Sequence, residues 1–277
     1  MSPAPASLEG LRAELRRIGP VVVALSGGAD SAFLAKVAHD TLGAPAVLVA
    51  TALSPSLAAD DEADCRSLAA EWGLRWIGVP TDEMEDRRYV ANDADRCARC
   101  KTALMSALVP LAEGERATVV LGVNVDDLGD HRPGQRAAAE RGARFPLVDA
   151  GFTKRDIRHW SQALGLRTWD KPAAACLSSR IPYGTPVTLG ALGSIARAES
   201  ALRGLGFGQL RVRHHGTVAR IEVDEAALDE VVAQRRAVVA AVMAAGYLYV
   251  ALDLEGFRSG SLNRAIDRAD AAREGER

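Results

Sequence analysis

A short loop near the amino terminus carries residue types that bind phosphate. Directly after the apolar run at residues 21–25, the sequence reads Ser26-Gly27-Gly28-Ala29-Asp30-Ser31. Glycines let a backbone approach an anion closely, and the N–H groups at the start of a following helix point towards it. The hydroxyls of Ser26 and Ser31 can donate further hydrogen bonds. Asp30 would repel phosphate unless a cation lay between them, so the loop also predicts bound Mg²⁺.

The loop differs from the ordinary P-loop in its ending. It lacks the Gly-Lys-Ser/Thr sequence of that motif, so β,γ-cleavage of the P-loop kind is not indicated. Two glycines on their own could equally form a plain strand-to-helix turn. The addition of Ser26, Asp30 and Ser31 after an apolar strand favours the phosphate site.

A second polar cluster follows the apolar run at residues 118–123. It contains Asn124, Asp126 and Asp127. Open α/β sheets bind ligands beyond the carboxyl ends of their strands, so we expect these side chains to share the phosphate site. A plain turn or a helix cap is the alternative interpretation.

The four cysteines fall into different settings. Cys65 shares a helical stripe with Leu68 and Trp72, which predicts a buried core thiol. Cys97 and Cys100 form a Cys-x-x-Cys at a predicted helix start, where basic neighbours and the helix end lower a thiol pKa. This pair is compatible with a redox couple, half of a zinc site, two ligands of an iron–sulfur cluster, or two packed thiols.

Cys176 lies in a long segment rich in proline and glycine, residues 169–184. The segment joins two predicted domains, and a thiol on such a loop is a better candidate for chemistry than one on a helix stripe. Arg180 is close enough in sequence to favour the thiolate. We therefore expect Cys176 and Arg180, together with Asp30, to be catalytic.

Two arginines on a later strand indicate an anion site. Arg211 and Arg213 are two residues apart on the strand predicted at residues 210–214, so they point to the same face as His215. Guanidinium groups can bind a phosphate bidentately. A solvated strand face with surface arginines is the alternative.

Hydrophobic periodicity predicts the elements that position these residues. Short apolar strands alternate with helices through residues 1–184, which predicts an α/β fold with a parallel, doubly wound sheet. A smaller α+β domain over residues 185–265 and a charged tail over residues 266–277 follow. The predicted strands cover residues 21–25, 46–50, 76–79, 118–123, 210–214, 219–223 and 247–254. The predicted helices cover residues 8–18, 31–39, 60–72, 98–111, 152–164, 189–205 and 228–245.

Composition narrows the class of protein. Of 277 residues, 48% are hydrophobic and 25% are charged, which is typical of a globular protein with a sizeable core. The net charge of −2 argues against nucleic acid as a partner. No apolar run is long enough to span a membrane, and the amino terminus has no secretion signal, so we expect a cytoplasmic protein with no membrane partner.

The phosphate loop resembles that of a known superfamily. Residues 25–31 resemble the PP-loop of the ATP pyrophosphatases, which include GMP synthetase, NAD synthetase, asparagine synthetase and the tRNA thiolases. The resemblance implies a HUP-type fold that holds pyrophosphate on the loop and splits ATP into AMP and pyrophosphate. Pro146-Leu147 and Lys154 agree with the same pattern. The nucleotide-binding residues that it implies are Ser26, Gly27, Gly28, Asp30, Ser31, Asn124 and Asp127.

Longer motifs narrow the resemblance to the LarE family, the ATP-dependent sulfur transferases of nickel-pincer cofactor synthesis. The Cys176 segment reads Ala-Cys-Leu-Ser-Ser-Arg-Ile-Pro-Tyr-Gly-Thr, which resembles the sulfur-donor loop of that family. The match extends over nearly the whole chain. Its further motifs are Asp130-His131-Arg132-Pro133-Gly134, Val212-Arg213 with Ala219-Arg220-Ile221-Glu222, and Leu252-Asp253-Leu254 with Gly256-Phe257-Arg258-Ser259-Gly260.

The family resemblance implies a reaction. ATP adenylates a carboxylate of a pyridinium dicarboxylate mononucleotide, and sulfur then replaces AMP to give a thiocarboxylate. The resemblance also implies self-association, so a homo-oligomer is expected. Roles in binding phosphate and substrate are implied for Arg180, Glu199, Arg211, Arg213 and Glu222.

The source of the sulfur divides the family into two branches. In one, the cysteine that matches Cys176 gives up its own sulfur and becomes dehydroalanine, and that branch lacks the Cys-x-x-Cys. In the other, three cysteines hold a 4Fe-4S cluster that carries an extra sulfide. Because this chain has Cys97, Cys100 and Cys176, we expect the cluster branch.

Two other functions stay open from the sequence. One is a tRNA thiolase of the PP-loop class, although the acidic net charge and the lack of a basic, aromatic RNA-binding module argue against it. The other is a nucleotide-binding regulatory protein without turnover, against which the candidate reactive loop at Cys176 argues.

Overall fold

The protein is described by a computed structural model that covers residues 6–129, 133–172 and 175–258. The chain divides into two compact units, which are Met1–Val90 with Ala94–Ala175, and Ala91–Asp93 with Cys176–Arg277. The predicted domain boundaries after residues 184 and 265 stay predictions. The charged tail at residues 266–277 and the motif residues 130–132 and 259–260 lie outside the described residues.

The first unit is built on a sheet of parallel strands. These are β1 (Val21–Ala24), β2 (Val47–Leu53), β3 (Arg75–Pro80) and β4 (Thr118–Val120), in the order β3-β2-β1-β4. Alternate residues point to opposite faces, so Val21 and Val23 join one hydrophobic core while Val22 joins another. Both faces are therefore covered, which explains the continuous apolar run. The predicted doubly wound α/β fold is confirmed and is consistent with the HUP type.

Helices cover the two faces of this sheet. In the described part of the first unit they are α1 (Leu8–Ile18), α2 (Ala29–Leu42), α3 (Ala59–Glu71), α4 (Arg87–Val90), α5 (Arg96–Glu115), α6 (Pro133–Glu140), α7 (Pro146–Asp149) and α8 (Lys154–Ala163). One core takes buried residues from α1, α2, α3, α7 and α8, and the other takes them from α5 and α6. Cys65 lies fully buried in the first of these cores, as its helical stripe predicted. The short helices α4, α6 and α7 were not predicted.

The second unit has a smaller sheet of its own. β5 (Leu210–His215) and β6 (Val218–Val223) form an antiparallel hairpin, and β7 (Tyr249–Leu252) runs parallel to β6. α9 (Leu189–Gly204), α10 (Leu228–Ala233) and α11 (Arg235–Ala244) contribute buried residues to its core. Val212 and Ile221 point into that core. Arg211 and Arg213, which flank Val212 along β5, therefore lie on the other face of the sheet. The predicted smaller α+β arrangement is confirmed.

The predicted single helix over residues 228–245 is wrong, because α10 and α11 meet at a break at Gln234. The apolar period nevertheless continues across the break, since Val231, Val238 and Val242 all enter the same core. Periodicity alone therefore could not reveal it. Within the described residues, no helix combines the length and the apolar character that crossing a membrane requires.

Candidate active site

The candidate site of the first unit lies where the strand order reverses. β2 and β4 lie on opposite sides of β1, so β1 and β4 border the switch point of the sheet. In open α/β sheets, ligands bind in the crevice beyond the carboxyl ends of such strands. Residues 26–31 leave β1 there and enter α2, with Gly28 as its N-cap. Asn124 follows β4 at the same edge, so the two predicted polar clusters come together.

Hydroxyl groups hold the phosphate loop in shape. Ser31 Oγ donates to the carbonyl of Gly28 at 3.1 Å and lies 3.1 Å from Ser26 Oγ. The backbone N–H of Ser26 donates to the same Ser31 oxygen at 3.2 Å. Gly27 has a φ of 72°, a left-handed conformation that glycine adopts without strain. The N–H groups of the first turn of α2 have no partner within the helix and are suited to an anion.

Asp30 lies against the second polar cluster. Asn124 is fully buried, and its Nδ2 donates to Asp30 Oδ2 at 3.1 Å. Burial and the nearby Asp127 carboxylate raise the pKa of Asp30, so a counter-cation would stabilise its ionised form. Carboxylate oxygens are the ligands that Mg²⁺ prefers in proteins. The donor chemistry of Asp30 and Asp127 therefore fits the predicted cation.

The other residues of the second cluster have separate contacts. Asp127 accepts a hydrogen bond from the backbone N–H of Asn124 at 3.3 Å and pairs with Lys154 Nζ at 3.2 Å. Asp126 accepts from the backbone N–H of Lys154 at 2.7 Å, at the first residue of α8. Asp126 thus supports a helix start, whereas Asp127 lies close enough to Asp30 to affect its pKa.

Gly122 keeps the chain after β4 close to the phosphate loop. A Cβ at Gly122 would lie 2.8 Å from the backbone nitrogen of Ser31 and 3.0 Å from the carbonyl carbon of Asp30. We expect Gly122→Ala to displace the first turn of α2 and to lower the free energy of unfolding by about 1–3 kcal/mol. Urea unfolding measures this change. Gly114→Ala in α5 is the matched control, because a Cβ there meets no atom within 4 Å, and an equal loss in both variants would contradict the expectation.

Cys97 and Cys100 lie in the first turns of α5, in the first unit. Cys97 is exposed and Cys100 is partly buried. A spacing of three residues places both side chains on one side of the helix. The Asp95 carboxylate binds the Arg99 guanidinium at 3.2 Å. One of the positive charges expected to activate the pair is therefore offset by a neighbouring negative charge.

Cys176 precedes a short 3-10 turn, Leu177–Arg180, in the second unit, and its side chain is exposed. Arg180 is buried, and its Nη1 donates to the backbone carbonyl of Cys176 at 3.0 Å. Its Nε and Nη2 donate to the two carboxylate oxygens of Glu199 at 2.9 and 3.1 Å. Arg180 therefore holds the backbone of the Cys176 turn in place. A direct effect of Arg180 on the thiol stays a prediction.

The three cysteines predicted to hold a metal cluster belong to different units, Cys97 and Cys100 to the first and Cys176 to the second. Among the residues that the structure describes, no group of three histidine, cysteine or acidic side chains is placed to hold a metal ion. The ligand set formed by these three cysteines stays a prediction.

Buried charged side chains cluster along β5, an edge strand of the second sheet. The cluster contains all five predicted substrate-binding residues, which are Arg180, Glu199, Arg211, Arg213 and Glu222. Glu199 accepts from the backbone N–H of Val212 at 3.0 Å, and Arg213 pairs with Glu222 at 2.7 Å. Arg213 also donates to the carbonyl of Ser179 at 2.9 Å, which joins the Cys176 turn to the cluster. The alternative of a solvated strand face is wrong, because these arginines are buried.

Arg211 differs from the other arginines of the cluster. Its guanidinium lies over the Phe257 ring, 4.6 Å from the centroid, and the residue is only 7% exposed. Within the described residues, no acceptor forms a hydrogen bond or an ion pair with it. Burial and the positive charges of Arg180 and Arg213 lower the pKa of Arg211 to about 10. A buried cation in this setting is stabilised by an external anion.

Two arginines that share the carboxylates of this cluster were missed from the sequence. Arg203 Nη2 lies 3.2 Å from Glu199, and Arg220 Nη2 lies 3.1 Å from Glu222. A signal was available for both. Arg203 follows Glu199 by four residues on a helix, and Arg220 precedes Glu222 by two residues on a strand, so each pair shares one side of its element.

Known proteins resemble this chain over most of its length, although no family profile matches it. The chain is 39% identical over 264 residues to the pyridinium-3,5-bisthiocarboxylic acid mononucleotide synthase of Lactiplantibacillus plantarum, covering 95% of each protein. It is 44% identical over 264 residues to an uncharacterised protein of Synechocystis sp., covering 94% of this chain and 98% of that relative. An uncharacterised protein of Methanocaldococcus jannaschii is 25% identical over 240 residues, 86% of this chain and 91% of its own.

The first unit has a glycine-containing loop at the switch point of a parallel sheet, and the second unit has an exposed thiol and a buried arginine stacked on Phe257. These features are consistent with an α/β enzyme of the kind that activates substrates with a nucleotide. The 39% sequence identity to a named synthase, over 95% of each protein, agrees with that class. The chain belongs to the LarE family of ATP-dependent sulfur transferases.

Proposed function

We propose that this chain adenylates a carboxylate of a pyridinium dicarboxylate mononucleotide and converts it into a thiocarboxylate. The observation that carries the proposal is the exposed thiol of Cys176 next to a cluster of buried arginines. Arg180 of that cluster donates a hydrogen bond to the backbone carbonyl of Cys176, and Arg211 belongs to the same cluster. The relative from Lactiplantibacillus plantarum supports the choice of substrate, because its name describes a pyridinium mononucleotide with two thiocarboxylic acid groups.

The first half-reaction uses the phosphate loop. The N–H groups at the start of α2 and the Ser26 hydroxyl would bind the β- and γ-phosphates of ATP, and Ser31 would hold the loop in shape through its bond to the Gly28 carbonyl. Mg²⁺ would be held by Asp30 and Asp127, and it would supply positive charge beside the phosphates. A substrate carboxylate oxygen attacks the α-phosphorus, and pyrophosphate is the leaving group. The products are an acyl adenylate and pyrophosphate.

The second half-reaction replaces AMP by sulfur. A sulfur nucleophile attacks the carbonyl carbon of the adenylate, and the bond from that carbon to the AMP oxygen breaks. We favour Cys97, Cys100 and Cys176 as ligands of a 4Fe-4S cluster, which when bound offers one iron without a protein ligand for a labile sulfide. The donor chemistry fits, because cysteine thiolates are the usual ligands of such a cluster and none of the three cysteines is buried.

Sacrifice of Cys176 is the alternative source of sulfur. In that case the Cys176 thiolate attacks the adenylate and AMP leaves. The bond between Cβ and Sγ then breaks as the α-proton is lost, so the sulfur stays on the product and dehydroalanine stays in the chain. The exposure of Cys176 is compatible with either source.

Anaerobic reconstitution with iron and sulfide tests both the activity and the sulfur source. We expect about four irons per chain, ATP-dependent formation of thiocarboxylate, and an unmodified Cys176 in the mass spectrum after turnover. The Cys97→Ala/Cys100→Ala variant is expected to lose both iron and product. Stoichiometric product from that variant, with loss of the sulfur of Cys176, would contradict the cluster. Failure of the wild-type chain to exchange pyrophosphate into ATP when substrate is present would contradict the proposed adenylation.

The two arginines of β5 should separate into a binding and a structural residue. We expect Arg211→Met to raise the KM for the mononucleotide about 10- to 100-fold, because one charged contact to phosphate is lost, and to leave the KM for ATP unchanged. Arg213→Met should instead cost about 3 kcal/mol of folding stability, because it breaks a buried ion pair with Glu222. Steady-state kinetics and urea unfolding measure both effects. Unchanged substrate kinetics in Arg211→Met would remove Arg211 from the site.

Two further properties rest on the sequence. We expect self-association, which the family resemblance implies, and a cytoplasmic location. Light scattering during size-exclusion chromatography measures the first of these.

A further inference from the structure

Lys171 lies beside the phosphate loop, and no sequence motif predicted a role for it. It belongs to the segment after α8, and its Nζ lies 3.6 Å from the position that a Cβ on Gly27 would take. The backbone N–H of Lys171 donates to the carbonyl of Thr168 at 3.1 Å, which fixes where the side chain starts. The ammonium group is therefore held at the first glycine of the loop.

We propose that Lys171 is a phosphate-binding residue of this loop and that Asp64 on α3 positions its ammonium group. The inference rests on the proposed ATP-dependent function, because it assigns a contact to the pyrophosphate part of ATP.

The hydrogen-bonding capacity of Lys171 supports a ligand. An ammonium group has three N–H donors. Within the described residues, Asp64 is the one acceptor that Lys171 Nζ contacts, and the side chain is 24% exposed. Two donors are thus left for oxygen atoms of a bound anion, and they lie next to the glycine at which the backbone can approach that anion closely.

Asp64 does not depend on Lys171 for an ion-pair partner. Arg167 Nη1 lies 2.7 Å from the other carboxylate oxygen of Asp64, and Arg167 Nε lies 3.0 Å from Glu71. Burial by itself would raise the pKa of Asp64, but hydrogen bonds from Lys171 and Arg167 hold it below its usual value. Asp64 is therefore ionised and is held by Arg167, and its other carboxylate oxygen positions the Lys171 ammonium group beside the loop.

The charges around Gly27 explain why a cation is needed on this side. The first turn of α3 is acidic and contains Asp60, Asp61 and Glu62, and the carbonyl oxygen of Asp61 lies 3.7 Å from the same Cβ position on Gly27. These groups repel a polyphosphate. Cys65 Sγ lies 3.1 Å from that position, but burial raises the pKa of its thiol, so it stays neutral and adds no charge beside the loop. Lys171 supplies positive charge beside the loop.

Binding of magnesium pyrophosphate, ATP and AMP to the full chain tests the proposal. We expect Lys171→Met to weaken calorimetric affinity for pyrophosphate and ATP about 10- to 100-fold, because one charged hydrogen bond to phosphate is lost, and to leave the affinity for AMP within about threefold. Lys36→Met is the matched control. Lys36 also pairs with an aspartate, Asp40, and its side chain has nearly the same exposure, 25% against 24% for Lys171. Lys36→Met should bind all three ligands like the wild type.

A labelling experiment on the wild-type chain avoids any effect of the substitution on folding. Magnesium pyrophosphate should protect Lys171, but not Lys36, from acylation by an amine reagent, as measured by mass spectrometry of peptides. Equal labelling of Lys171 with and without saturating pyrophosphate would overturn the proposal, as would wild-type pyrophosphate affinity in Lys171→Met. If the wild-type chain binds neither pyrophosphate nor ATP, the proposed function itself fails, and this inference fails with it.

Discussion

The Cys176→Ala variant is expected to release pyrophosphate from ATP in the presence of substrate while forming no thiocarboxylate. The phosphate loop belongs to a different unit of the chain, so adenylation does not require this thiol. In the proposed reaction, sulfur transfer uses this thiol, either as a ligand of the cluster or as the source of the sulfur. The substitution should preserve the local fold, because Arg180 bonds the backbone carbonyl of residue 176 rather than the thiol. Pyrophosphate release and mass spectrometry of the product measure the two half-reactions separately.

A second cysteine of the chain provides the control for this result. Cys65 is fully buried in the core of the first unit, so Cys65→Ala removes a thiol that has no proposed chemical role. We expect it to lower stability by about 1–2 kcal/mol, since it leaves a small cavity, and to retain thiocarboxylate formation. A role confined to sulfur transfer would be contradicted if Cys176→Ala still formed thiocarboxylate. It would also be contradicted if the variant lost pyrophosphate release as well as product.

Features that depend on neighbouring residues were predictable from the sequence. The phosphate loop and the strand before it are specified by a few consecutive residues, and the doubly wound sheet follows from alternating strands and helices. Asn124 meets Asp30 because parallel strands share one carboxyl edge, which requires no knowledge of side-chain packing. Arg211 and Arg213 share a strand face for a similarly local reason.

Contacts between distant elements were not predictable in the same way. Arg211 and Arg213 look alike in sequence, yet Arg213 pairs with Glu222 while Arg211 stacks on Phe257. The two arginines therefore differ in their contacts with other segments of the chain. Arg213, for example, also donates to the carbonyl of Ser179. Lys171 was missed because its partner Asp64 lies on α3, 107 residues away, and no shared strand edge brings the two residues together. No periodicity or motif spacing encodes such pairings.

The Asp30→Asn variant should lose ATP activation and keep its fold. Asparagine has nearly the same shape and its side-chain oxygen can still accept the hydrogen bond that Asn124 Nδ2 donates at 3.1 Å. The lost negative charge removes the proposed Mg²⁺ ligand, and we expect the rate of pyrophosphate release to fall about 10²- to 10³-fold. A titration of that rate with magnesium chloride measures the effect. Asp126→Asn is the matched control, because the Asp126 carboxylate accepts from the backbone of Lys154, and its variant should retain the rate within about tenfold.

Stability distinguishes this loss of function from a loss of structure. Burial and the negative charge of Asp127 raise the pKa of Asp30, so the folded chain binds a proton at Asp30 more tightly than the unfolded chain does. The ionised carboxylate therefore costs folding free energy at neutral pH, and this cost disappears once the pH falls below the pKa of the unfolded aspartate. Replacing Asp30 by a neutral residue removes the same cost, so the Tm of Asp30→Asn without magnesium should equal or exceed that of the wild type. A lower Tm would mean that Asp30 stabilises the loop rather than serving ATP, and the residue would then have to be removed from the proposed site.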